Sequence, residues 1–168
     1  MTKILLAAFF LLYLVTVLWF TVLCRSVRET PPHFDLFWSY RRWFAGEWFY
    51  GFEILGNIAM FGPFGFMLGE LLLEGGRPVF KRMVLAFILT ILFAVLFSGT
   101  IEVSQLVFKL GLFEWDDFVS NTIGAMLGFA AYRILRRTGD EWREPVFLMT
   151  HMLFAIVCIH VLLFYGGA

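Results

Sequence analysis

Charge is scarce in this chain: Asp, Glu, Lys and Arg make up 15% of 168 residues, and the two signs cancel to a formal net charge of zero. That balance offers nothing to a polyanion, so nucleic acid is not an expected partner. Cysteine is almost absent. Cys24 and Cys158 have neither metal-ligand nor redox-motif spacing and read as apolar filler. No Ser-His-Asp order, His-Glu-x-x-His helix or phosphate-cradling glycine loop occurs. Repeats and low-complexity tracts are missing too. What remains is apolar: 61% hydrophobic and 20% aromatic residues, with a mean hydropathy of +0.83. That lies well beyond a soluble domain and places the chain in a membrane.

About 20 predominantly apolar residues cross a bilayer as a helix. Runs of that kind are expected at about 4–23, 53–73, 83–108, 117–135 and 145–165, separated by the basic turn 74–82 and the charged link 136–144. The fold class expected is all-α: one domain over 1–168, a polytopic bundle of about five transmembrane helices plus a short interfacial amphipathic helix. The first run follows only Lys3 and lacks a small-residue cleavage site, so it reads as a retained anchor.

Basic residues orient the bundle. With the N-terminus inside, Lys3, Arg77, Lys81, Arg82, Arg133, Arg136, Arg137 and Arg143 lie inside. They outnumber Arg25, Arg28, Arg41, Arg42 and Lys109 outside. The C-terminus then lies outside. Between the first two spans, Leu36, Phe37, Tyr40, Trp43 and Phe44 recur at three- and four-residue spacing. That pattern suits a short helix in the headgroup region, with Asp35 available as its cap.

Polar residues break the apolar runs in three places. Glu53 and Asn57 share a face of the second span, Glu102 and Gln105 of the third, and Asp117 and Asn121 of the fourth, with Asp116 beside them. Glu102 comes nineteen residues after Met83, roughly 28 Å along a helix, which brings it to the outer limit of the hydrocarbon. All three pairs reach one depth, so they are expected to meet. Each has a plain structural explanation as well. Asp117 suits a helix cap, and Asn57, Gln105 and Asn121 suit interhelical hydrogen bonds. Glu102, in an apolar span, is harder to explain without a function.

Glycine supports close packing, through Gly56, Gly62, Gly65 and Gly69 in the second span and Gly124 and Gly128 in the fourth. Pro63 frees the carbonyl of Ala59 and is expected to kink the second span. His151 and His160, nine residues apart on the fifth span, read as locally satisfied. Carboxylates would suit Mg²⁺ or Ca²⁺. Such acids at membrane helix ends are more often hydrated or paired with Arg, so no metal and no cofactor are expected.

In order, Phe34-Asp35-Leu36-Phe37-Trp38-Ser39-Tyr40, Asn57-x3-Phe61-x-Pro63-x-Gly65, Glu102-x2-Gln105 and Asp116-Asp117-x3-Asn121-x2-Gly124-x3-Gly128 resemble the VanZ-like family of bacterial membrane proteins. The resemblance covers about residues 28–134. Many relatives carry an Arg a few residues before the paired acids, where this chain has Gly111 with Lys109 nearby. The family's founding member is associated with low-level teicoplanin resistance that does not need altered peptidoglycan precursors. The resemblance implies a multi-pass protein of the bacterial cytoplasmic membrane and does not reveal a biochemical activity. The polar cluster at the outer face leads to the expectation that it acts at the outer leaflet on an envelope lipid or lipid-linked ligand, with protein partners unknown.

Three function classes follow. In a binding site, Glu102 and Asp117 are the central acids, Asn57, Gln105 and Asn121 orient the ligand, Glu53 and Asp116 flank them, and Arg28, Arg41 or Arg42 meets an anionic headgroup. In an enzyme, Glu102 or Asp117 serves as general base. In a structural lock, the same residues only join helices.

Overall fold

The computed structural model describes residues 3–23, 27, 34–73, 79–110 and 112–138. Among them the fold is all-helical. Helix α1 covers Lys3–Leu18 and continues as a π-helical turn over Trp19–Leu23; α2 covers Trp38–Phe44, α3 Trp48–Leu73, α4 Phe80–Phe108 and α5 Trp115–Thr138. Lys3–Leu23, Trp48–Leu73, Phe80–Phe108 and Trp115–Arg136 are each long and apolar enough to cross a membrane. The multi-pass character expected from the apolar runs therefore stands on four candidate spans. The run at 145–165, with His151, His160 and Cys158, lies outside the described residues, as do Arg28 and Cys24.

The helices begin somewhat before the apolar runs. Helix α3 starts at Trp48 rather than near residue 53, and α4 starts at Phe80 rather than near 83. Hydropathy marks where lipid begins, whereas hydrogen bonding carries a helix on into the headgroups. Pro63 is buried inside α3, and the helix continues through it to Leu73.

Glycine brings α3 and α5 together. A Cβ on Gly65 would stand 1.8 Å from the Ala125 carbonyl oxygen, one on Gly124 2.3 Å from that of Ile58, and one on Gly128 1.9 Å from that of Gly62. These are backbone-to-backbone contacts that any side chain would wedge apart. The partners advance together along both helices, so α3 and α5 run parallel. Gly56 and Gly62 do not act as expected: a Cβ on either meets nothing within 4 Å. Gly62 contributes its carbonyl to the contact, not the absence of its side chain.

Helix α4 returns antiparallel, with Phe87 against Phe129 at one end and Gly99 under Phe118 at the other. The backbone turns toward α5 at Lys109, in a left-handed conformation with φ 55. Helix α1 lies along α3. Tyr13 donates to the Met60 carbonyl at 2.5 Å, and Phe10 packs on Phe64, which stacks in turn on Phe97. Leu85, Ile88, Leu92, Phe93 and Leu96 of α4 stay exposed, an apolar flank suited to lipid.

Candidate functional site

The polar residues of α3, α4 and α5 gather at one end of the bundle, as their spacing predicts, but they pair off rather than converge on one point. Asn57 Nδ2 donates to Asp117 Oδ1 at 2.6 Å, joining α3 to α5. Asn121 Nδ2 donates to Ser98 Oγ at 2.9 Å, joining α5 to α4. Glu102 is 1% exposed, and its Oε2 accepts the Glu114 N–H at 3.1 Å, holding the segment that leads into α5. Gln105 turns elsewhere: its Nε2 donates at 2.8 Å to the Thr21 carbonyl in the π-helical turn after α1. Thr21 stands in the last turn of the helical segment that ends at Leu23, where carbonyls are short of intrahelical donors, and this bond supplies one. Glu53 is exposed on α3.

Asp116 has the most defined role. One oxygen accepts the Phe37 N–H at 2.5 Å and the other the Ser39 N–H at 2.7 Å. Helix α2 thus receives its N-terminal acceptor from α5. Asp35, expected as the cap, does not supply it: Phe37 occupies the cap position in a left-handed conformation, and no side chain of its own segment bonds there. A carboxylate on the free N–H groups of a helix start stabilises it wherever in the sequence it originates.

Further bonds fix the same helix. Ser39 Oγ donates to Glu114 Oε2 at 2.9 Å, and the Tyr40 and Ser120 hydroxyls lie 2.8 Å apart. Ser120 gives its single proton to the Asp116 carbonyl at 2.9 Å, so Tyr40 is the donor between them. Burial pushes the Tyr40 hydroxyl above the ordinary tyrosine value, against the Ser120 hydrogen bond, with the Asp116 and Asp117 carboxylates adding to the rise. The inward face of α2 is therefore polar. Leu36 and Phe37 before it, and Phe44 at its end, remain exposed, so the segment is polar inward and apolar outward.

The arginines on α2 point away from these acids. Arg41 Nη1 donates to the Leu36 carbonyl at 3.1 Å, and Arg42 pairs with Glu47 at 2.6 Å beneath the Trp38 and Tyr50 rings. Asn121 Oδ1 and Gln105 Oε1 are buried and have no hydrogen-bond partner among the described residues. Both are acceptors, so whatever satisfies them carries a donor. No cluster of His, Cys, Asp or Glu able to hold a metal ion occurs among the described residues.

Sequence reading missed Ser39, Glu114, Ser120, Ser98 and Thr21. Two of these had a signal. Ser98 precedes Glu102 by four residues and Ser120 follows Asp116 by four, so each shares its neighbour's face.

A family model described as VanZ/LLP1 matches residues 9–136. Protein VanZ of Enterococcus faecium is 30% identical over 146 residues, 79% of this chain and 76% of that protein. No solved structure matches.

Proposed function

The chain belongs to the VanZ/LLP1 family, and on that premise we propose that it acts at the outer leaflet of the bacterial cytoplasmic membrane on an envelope lipid or lipid-linked ligand. Its physiological output is a contribution to glycopeptide (teicoplanin) resistance. Glu102 and Asp117 are the central acids, with Asn57, Gln105 and Asn121 orienting the ligand and α2 covering the site. Support comes chiefly from Glu102, a carboxylate 1% exposed at the end of an apolar span. Burying such a group is costly, and a purely structural contact is met more cheaply by an amide or hydroxyl. The open acceptors of Asn121 and Gln105 lie at the same end and call for a donor, such as a headgroup hydroxyl or amine.

The structural-lock reading also has a specific observation behind it. Asp116, Asn57 and Asp117 are all engaged by neighbouring elements, which is the pattern of a fastening. The amide variants Glu102→Gln and Asp117→Asn separate the readings, scored by co-purified lipid in mass spectrometry and by teicoplanin susceptibility. A ligand site predicts a changed lipid complement and lost resistance in protein that still folds. Variants that fail to fold favour the lock. Folded variants with unchanged lipid and unchanged resistance would sink the ligand site.

A further inference from the structure

At the end of the bundle opposite the carboxylates, the described side chains are dominated by cations. Helix α3 is described as far as Leu73, and guanidinium groups hold the carbonyls of its last described residues: Arg82 Nη2 donates to Leu72 at 3.3 Å, and Arg136 Nη1 donates to Leu73 and to the Tyr132 hydroxyl. The Arg136 guanidinium carbon also lies 5.8 Å from the Tyr132 ring centroid. Cations at a helix C-terminus are favoured by its dipole, and these contacts alone require no ligand. Arg133 is different. It follows Tyr132 on α5, its Nε is buried, and that atom makes no hydrogen bond among the described residues.

Arg136 contacts the Tyr132 hydroxyl, Arg133 is the next residue, and Arg82 holds the carbonyl before the one that Arg136 holds, so three positive charges share one small region. Glu70, half-buried one turn before Leu73, is the carboxylate among the described residues at this end, and its single charge does not balance three. Like charges held this close repel one another unless an anion lies among them. A planar guanidinium matches a phosphate with parallel N–H bonds, and basic clefts between membrane helices are settings for anionic headgroups.

We propose that Arg82, Arg133 and Arg136 form a phosphate-binding site at this end, filled by the phosphodiester of an anionic lipid or by free phosphate. It is separate from the carboxylate end and does not depend on the function proposed there. Arg133 supplies the donor with no other use, and Arg82 and Arg136 supply charge while capping α3.

The test uses the full chain in detergent, titrated with phosphatidylglycerol against phosphatidylcholine of the same acyl length and followed by native mass spectrometry. A parallel arm adds inorganic phosphate alone and reads thermal stability. Wild type should retain phosphatidylglycerol selectively, and Arg133→Gln should lower that affinity roughly tenfold. Lys109→Gln, an exposed side chain at the other end, should leave it unchanged. Stabilisation by inorganic phosphate that is lost in Arg133→Gln, without lipid selectivity, would support the site and assign it to the free ion. Arg82→Gln, an exposed side chain, serves as the second variant should Arg133→Gln fail to fold. The proposal is overturned if wild type prefers neither probe, or if the folded variants bind both as wild type does.

Discussion

Asp116 and Asp117 are adjacent on one helix, and the roughly 100° between successive residues sends them to different neighbours. Asp116 turns to α2 and Asp117 to Asn57 of α3. Replacing Asp116 by Ala leaves the Phe37 and Ser39 N–H groups without their acceptor, at a cost of about 1–3 kcal/mol. Hydrogen exchange over residues 37–45 should quicken while α3 and α5 stay protected; unchanged exchange there would show that α2 is held by other contacts. Tyr40 adds a pH dependence. Its hydroxyl is raised in the folded state, so its contribution is present below the ordinary tyrosine value and is lost as pH climbs through the raised one. Alkaline loss of α2 protection should therefore weaken in Tyr40→Phe. The sequence made these acids legible as polar residues in an apolar chain, yet not their partners. Asp116 reaches across 79 residues to Phe37, whereas local reasoning assigned that cap to Asp35, which was close in sequence and of the right type.

At the scale of elements, the α3–α5 contact governs the fold. Gly128→Ala would place a methyl group 1.9 Å from the Gly62 carbonyl, an atom held in the helix backbone and unable to swing aside. The helices must separate, with an expected loss of about 1–3 kcal/mol. Gly56→Ala meets open space and should gain about 0.5–1 kcal/mol through helix propensity. Thermal unfolding of both variants in detergent checks the pair, and equal destabilisation would contradict the assigned contact. Small-residue spacing made the tight packing legible, but not which glycines serve it. Gly56 lies nine residues before Gly65, two and a half turns, and so faces the other way. Periodicity alone could also not separate Gln105 from Glu102: three residues leave them near one face, but Gln105 finds the carbonyl of Thr21 on α1.

For the whole molecule, helix length explains why polar groups far apart in sequence gather at one end. Helix α4 runs 29 residues, so Glu102 comes to the level where α3 and α5 begin. That much followed from counting residues at a fixed rise. Which side of the membrane this end faces is a separate matter, resting on the bias of basic residues toward the opposite end. With the N-terminus inside, the helices through α5 bring the chain back inside at Thr138, whatever follows. A reporter fused after Thr138 should then be active only in its cytoplasmic form. One fused after Ala168 should be active only in its extracytoplasmic form if the apolar run 145–165 crosses once more. The two fusions test different things. Cytoplasmic activity at both would remove the fifth span and leave the carboxylate end outside. Extracytoplasmic activity at Thr138 would invert the bundle, put Glu102 and Asp117 at the inner leaflet, and leave an outer-leaflet ligand with no acids to meet it.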